Sequence, residues 1–330
     1  MTEISTQDLV ELIERVLGPF ASLQEPLEAR SPARADVQLA AFWFVQAELL
    51  KLPAFGIQML LRDLERLHAL DSRAPGVEAG VALLSIDAQR IPGHVSLALA
   101  VRLAAHAVKS QGCAILGIRN VGALGVLGCA ARSLASEGAV AIISANSSAF
   151  VAPLGGAAPA IGTNPLAVAA PRANAAPLVL DYSTSPMTLA ALRQARATGG
   201  TLPASGAVDA DGQRTSDPTR ATALLPEGRI SSLTGLGVEI ITGVGVGGRL
   251  AAGTPAPERS ALVIAYSPEA MGNRDAGELC AQLTQDWQGA GGHVPARFDS
   301  LPLTREHLPA TISVQSEALA ALQVRANGTN

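Results

Sequence analysis

The chain reads as an α/β protein. Between residues 81 and 145, apolar runs of strand character alternate with amphipathic helical stretches, and glycines mark the joints. The composition is that of a packed protein, 48% hydrophobic and 16% charged over 330 residues. A chain of that length can hold two domains around a large core.

The formal net charge of −4 gives no electrostatic reason to expect nucleic acid. The N-terminus, MTEISTQDLVELIERV, carries acids and lacks a basic region followed by an apolar core. No run of 18 apolar residues is free of charges and turn formers, so no membrane span and a cytoplasmic location are expected. Cys113, Cys129 and Cys280 are odd in number and lack metal-ligand spacing; buried, reduced thiols and no metal site are expected.

Residues 6–17 place Leu9, Ile13, Val16 and Leu17 on one helical face, and Gly18-Pro19 ends the helix. Ser31-Pro32 is an N-cap and first-turn pair for a second helix through AFWFVQAELL, where Phe42, Trp43 and Phe44 suit a core face. Pro53 interrupts, and AFGIQMLLRDLERL starts a third helix. Residues 81–87 are strand-like, and Gly93 opens a long helix leading to the strand CAILGIRN. A glycine-rich turn, a helix to Gly138 and the strand AVAIISA complete a strand–helix–strand unit. Further strands are read at Leu166–Ala170, LVLDY and ALVIAYS, a polar loop at 209–218, and a helix over 274–289. The tail beyond Val324 is expected to fray.

Gly243, Gly245 and Gly248 satisfy GxGxxG, the dinucleotide pattern. That pattern needs a strand before it and a helix after it. Here Gly253 and Pro255 follow too closely for a helix, so the glycines read as a loop closing a preceding helix and no Rossmann unit is assigned.

The stretch IGTNPLAVAAP (161–171) is, by itself, a turn entering a core strand. Its string resembles the GTNP(I/L)AxAAP element of the type 2 malate/L-lactate dehydrogenase family. VLDYSTSP (179–186) is similar to that family's VLDMATS, and DADGQRTSDP (209–218) to its DADGxPTxDP. Asn120, Gly125 and Glu137-Gly138 fall on its N-S-x-H-F-G turn and the helix behind it. Leu224-Leu225-Pro226 and Val238-Glu239 flank its GGxKGxGL element. The resemblance spans roughly residues 40 to 245.

It implies non-Rossmann NAD(P)-dependent reductases of small 2-oxo or cyclic 2-imino acids, Δ1-pyrroline- and Δ1-piperideine-2-carboxylate reductases among them. The implied fold is a mixed-sheet cofactor domain (113–259) on a helical domain from both chain ends (1–112, completed by 260–330), paired as a homodimer. At matched positions Asp181 belongs to a charge relay, Thr163 touches substrate, and Asn120, Gly122, Gly125, Ser183 and Ser185 line NADH or NADPH. Read bare, Asp181 would cap the following turn, and the serines would be turn formers.

The departures from the family pattern fall on reactive groups. Carbonyl or imine reduction needs a proton donor, and a carboxylate substrate calls for a cation. The family's D-S-H-G-x-x-R reads P-A-F-G-I-Q-M here, so Ala54, Phe55 and Met59 replace Ser, His and Arg. Ala123 replaces a second His, and Ile230 falls on or near the Lys position. His94 and Tyr182 are conceivable substitute donors; the plainer reading makes one a helix-start residue and the other a space filler. The sequence leaves three functions open: a reductase with an altered donor and an apolar pocket lined by Phe55 and Met59, a relative repurposed for non-redox chemistry, and a non-catalytic binding homologue.

Overall fold

The computed structural model describes residues 1–21, 31–68, 76–79, 83–89, 91–203, 206–248 and 259–328. The chain forms two compact units. The first is Met1–Ile143, Ala167–Leu180 and Val263–Asn330; the second is Ser144–Leu166 and Asp181–Leu262.

The first unit begins with β1 (Thr2–Ser5), α1 (Thr6–Leu17), α2 (Arg34–Leu49) and α3 (Ile57–His68). There follow β2 (Gly76–Ala79), β3 (Leu83–Asp87), α4 (Gly93–Gln111), β4 (Cys113–Val121), α5 (Leu127–Ser136) and β5 (Val140–Ala145). After β6 (Leu166–Ala170) and β7 (Leu178–Tyr182), the second unit adds α6 (Leu189–Thr198), β8 (Ala207–Val208), β9 (Ala223–Leu224) and α7 (Arg229–Val238), which runs on as a π-helical turn, Glu239–Val244. The chain returns through β10 (Arg259–Tyr266), α8 (Ala276–Gly289), β11 (Thr311–Val314) and α9 (Ser316–Asn327).

Seven strands form one sheet in the order β2-β3-β4-β10-β5-β6-β7. It is mixed: β2 runs antiparallel to β3, and β3 parallel to β4. The parallel pair is joined through α4, the right length of connection for a crossover. β1 and β11 pair separately, tying the two chain ends together.

The expected apolar face of α1 is fully buried at Leu9, Ile13 and Leu17, against α2 and α9. Phe44 on α2 and Leu97 and Leu99 on α4 are fully buried, and the two helices pack on one another. Polar ties fix the helices. Arg102 forks onto Asp36, with Nε–Oδ1 2.8 Å and Nη2–Oδ2 2.9 Å, and Asp36 is 1% exposed. Arg132 donates to the carbonyls of Leu301 and Pro302, and Gln46 also donates to Pro302, holding the C-terminal segment on α2 and α5.

Three expectations are corrected. Helix α2 starts at Arg34 and not on the Ser31-Pro32 pair, because Asp36 reaches back to accept the Ala33 N–H at 2.8 Å and so caps the helix itself. Cys113 is exposed, because the alternation of β4 turns positions 113 and 115 outward, while Cys129 and Cys280 are buried. The C-terminal helix holds to Asn327, anchored by Leu322 and Ala326 in the core.

In the second unit Val151, Met187, Leu192, Leu202, Ala207, Ala221 and Leu224 form a small core. The 209–218 loop is a self-capped turn. Asp209 accepts from the N–H groups of Asp211 and Gln213 and pairs with Arg220, while Asp217 accepts from Thr219 twice, which holds its carboxyl below the usual range. Among the described residues no helix is long and apolar enough to cross a membrane.

Removing one partner of a buried ion pair strands the other. Asp36→Ala is expected to destabilise the protein by about 3–5 kcal/mol in urea unfolding. Glu137→Ala, which breaks an exposed pair with Lys109, should cost under about 1 kcal/mol.

Candidate functional site

In the first unit the sequence-predicted residues collect around two buried carboxylates. Glu48, near the end of α2, accepts the Ile57 N–H at 2.9 Å and so caps the start of α3. Burial pushes its carboxyl up, against the pull of that N–H and of Lys51. A Cβ at Gly56 would overlap the Glu48 carboxylate, so only glycine lets the loop close over it. Ala54 and Phe55 on this loop are half-buried, and Met59 is buried at 7% exposure. No ionisable group stands at 54, 55 or 59.

One turn further along α3, Asp63 accepts the Gly93 N–H at 2.6 Å and the Arg66 Nε–H at 2.8 Å. The backbone at Gly122 lies so close that a Cβ there would overlap Asp63 Oδ1. Asp63 thus brings α3, the start of α4 and the 120–125 turn together. Asn120 takes φ +55° and points its amide at Asp87, with Nδ2–Oδ1 3.0 Å; Asp87 also meets Arg119 at 3.4 Å. Downstream, the peptide N–H groups of Ala123, Leu124, Gly125 and Val126 meet no acceptor among the described residues, and they lead into the N-terminus of α5, which has no side-chain cap.

His94 is 2% exposed, and its ring stacks on Phe44 with centroids 3.7 Å apart. It hydrogen-bonds to the Ala123 backbone, yet burial pushes its pKa down to about 3, so the imidazole is neutral at ordinary pH. A Cβ at Gly125 would overlap its Nε2, and Gly125 also holds φ +74°.

In the second unit the GTNP turn is organised by Asn164, fully buried at φ +40°. Its Nδ2 donates to Glu239 Oε2 at 2.9 Å and to the Gly235 carbonyl at 3.0 Å, and its Oδ1 accepts the Ser147 N–H. Thr163 faces Ser147: its N–H donates to Ser147 Oγ at 3.0 Å, and the two hydroxyls lie 3.5 Å apart. The Thr163 carbonyl accepts from the Thr184 N–H, the Ser183 hydroxyl and the Thr184 hydroxyl. Ser183 and Ser185 in turn accept N–H bonds two residues on. Both hydroxyls therefore shape the STS turn. Asp181 is half-buried, and Tyr182 is 46% exposed.

Sequence reasoning missed Glu48, Asp63 and the Asn164–Glu239 pair. Val238-Glu239 stood out as a motif, but nothing in spacing tied it to Asn164, 75 residues earlier. Gly243 lies in the π-helical turn that continues α7 and packs on Glu239, so a helix and not a strand precedes the GxGxxG string. Ile230 is 77% exposed at the start of α7. Among the described residues no cluster of three or more His, Cys, Asp or Glu side chains could hold a metal ion.

Two outcomes follow. Gly125→Ala forces a Cβ into the His94 ring at a left-handed φ and is expected to cost about 2–4 kcal/mol. Gly138→Ala, equally left-handed but with open space around it, should cost about 1–2 kcal/mol in the same urea measurement. The unfolded imidazole of His94 takes a proton near 6.5 and the folded one only near 3. Acidification through that window therefore favours the unfolded chain, by up to about 1.4 kcal/mol per pH unit, with the raised carboxyl of Glu48 acting in the opposite sense. Unfolding of the wild type and of His94→Gln between pH 7 and 4 should show the steeper loss in the wild type.

The geometry can be set beside known proteins. The malate/L-lactate dehydrogenase family profile matches residues 21–294. A Δ1-pyrroline-2-carboxylate reductase of Agrobacterium fabrum is 30% identical over 230 residues, covering 66% of this chain and 67% of the relative. An L-sulfolactate dehydrogenase of Methanothermobacter thermautotrophicus is 29% identical over 296 residues, covering 86% and 83%. The crystal structure of Δ1-piperideine-2-carboxylate reductase from Pseudomonas syringae pathovar tomato superposes with a TM-score of 0.81 at 26% identity, covering 98% of this chain and 100% of that one. With a matching profile over most of its length and the same mixed-sheet fold, the chain belongs to the malate/L-lactate dehydrogenase family.

Proposed function

We propose that the protein is a divergent NADH- or NADPH-dependent reductase of a small 2-oxo or cyclic 2-imino acid-like substrate, cytoplasmic and homodimeric. The observation that carries this reading is the contrast within the first unit. The glycine turn at 120–125 keeps its scaffold of Asp63, Gly93 and Gly122, while Ala54, Phe55, Met59 and Ala123 present hydrocarbon where the family pattern has polar groups.

The residues fit a phosphate-bearing cofactor at the level of the backbone. Four peptide N–H groups without an acceptor among the described residues, ahead of an uncapped helix start, suit an anion. Asn120, Gly122 and Gly125 would hold the cofactor there; Ser183 and Ser185 of the second unit are assigned the same role by family resemblance. The cofactor, when bound, supplies the hydride.

The chain's own residues would position the substrate and supply its proton. Phe55 and Met59 favour a substrate with more apolar surface than malate or lactate. Thr163 Oγ1 is oriented by Ser147 for a polar substrate group. Of the two candidate donors, the exposed phenol of Tyr182 is favoured over His94, whose neutral ring is stacked and tied to the Ala123 backbone. Asp181, next in sequence to Tyr182, would help to orient the proton donor. In this reading residues 1–112, completed by 260–330, form the helical substrate domain and 113–259 the cofactor domain, which also presents Thr163 and Tyr182 to the substrate. The exposed Ile230 in place of a lysine lowers affinity for an anionic group and favours the repurposed, non-redox reading if cofactor binding proves absent.

Titration with NADH and NADPH, followed by nicotinamide fluorescence, is expected to show micromolar binding of one of them. No signal from either would leave a non-redox enzyme or a binding homologue. In a reductase assay Tyr182→Phe should lower the rate by about 100-fold or more, and full activity would remove the phenol from the mechanism.

A further inference from the structure

Phe55 and Met59 give the carboxylate of an acid substrate no partner, so its charge has to be met by another group of the first unit. From Leu49 to Arg62 the charged side chains are Lys51 and Arg62 alone. Lys51 serves the end of α2. It takes φ +60°; its N–H donates to the Glu48 carbonyl at 2.9 Å and that of Leu52 to the Ala47 carbonyl at 3.0 Å, the bonding of a left-handed helix stop. Its charge acts on the Glu48 carboxyl. Arg62 is placed differently. It lies on α3 three residues beyond Met59, about 60° round the helix and about 4.5 Å along it, the spacing of side-chain neighbours. Its exposed guanidinium turns back toward the helix start, where Nη2 donates to the Ala54 carbonyl at 2.7 Å. The fork therefore stands beside the residue that precedes Phe55, on the loop that Glu48 holds at Ile57.

We propose that Arg62 holds the substrate's carboxylate, so that the hydrocarbon at 54–59 meets the rest of the molecule. The assignment rests on the reductase reading for the class of acid and adds to it the group that selects for the charge. A guanidinium has five N–H donors, more than one carbonyl can accept, and its planar fork matches a carboxylate with two parallel bonds. The bond to Ala54 orients the fork before a ligand arrives, which lowers the entropy lost on binding. A guanidinium that only tied down the loop would be indifferent to a ligand's charge, and the experiment uses that difference.

Isothermal titration calorimetry of the full chain reads this contact without turnover. The probes are pyrrole-2-carboxylate, a stable planar 2-carboxylate, and its uncharged counterpart pyrrole-2-carboxamide, each with and without NADPH. The wild type is expected to favour the carboxylate by at least about 10-fold. Arg62→Met keeps the apolar stem; it should bind the carboxylate about 10- to 100-fold more weakly and the carboxamide unchanged. Arg62→Lys should restore part of the preference. Lys51→Gly, which removes the other charge of the segment and relieves a left-handed lysine, should keep the wild-type preference. If Arg62→Met does not fold, as read by circular dichroism, Arg62→Gln takes its place with the same expectation. A preference present in the wild type and lost in the Arg62 variant supports the assignment even if no nicotinamide cofactor binds, so the reductase reading can fail separately. No carboxylate preference in the wild type, a folded Arg62 variant that retains it, or its equal loss in Lys51→Gly would each overturn the proposal.

Discussion

The first unit depends on one buried carboxylate. Asp63 is nearly inaccessible, yet it accepts a backbone N–H from Gly93 and a guanidinium N–H from Arg66 while the backbone of Gly122 presses against it. A buried carboxylate is tolerable only when its oxygens are satisfied, and satisfying these oxygens fixes three chain segments at once. The second unit repeats the solution with Glu239, to which Asn164 ties the GTNP turn. In each unit one irregular segment bearing a family motif, the 120–125 turn in the first and the GTNP turn in the second, is held by a carboxylate from a helix, with glycine where a Cβ would collide.

That arrangement separates scaffolding from chemistry. The groups that hold loops in place (Glu48, Asp63, Asn164, Glu239) are polar and bonded. The positions where family resemblance puts ionisable working groups carry Ala54, Phe55, Met59, Ala123 and Ile230. The one histidine near the glycine turn, His94, has been drawn into the aromatic packing of α2, where desolvation keeps it uncharged. Side-chain polarity at those positions can therefore differ while the backbone around them is held, because different residues carry the two tasks.

The α7 segment shows how one helix serves two environments. Its inward face is small and polar enough to meet Asn146, Asn164 and Ser260, whereas its outward face is aliphatic without a single charge. The π-helical turn at Glu239–Val244 accommodates both, placing the carboxylate inward and Ile240, Ile241 and Val244 outward.

Periodicity marked α1 to α5, α8 and the sheet strands of five residues or more, because a core-facing stripe on α1 or a strand such as Leu166–Ala170 leaves its mark in adjacent letters, whereas α6 and α9 were not read from it. Family strings located the GTNP, STS and DADG turns. Strands of two to four residues left no such mark; β8, β9 and β11 exist through pairing with distant segments. The cap of α2 by Asp36, the stacking of His94 on Phe44 and the partnership of Asn164 with Glu239 were likewise decided only in three dimensions. Each joins groups whose mutual burial sets their charge and role, and burial belongs to the packed chain, not to any window of residues.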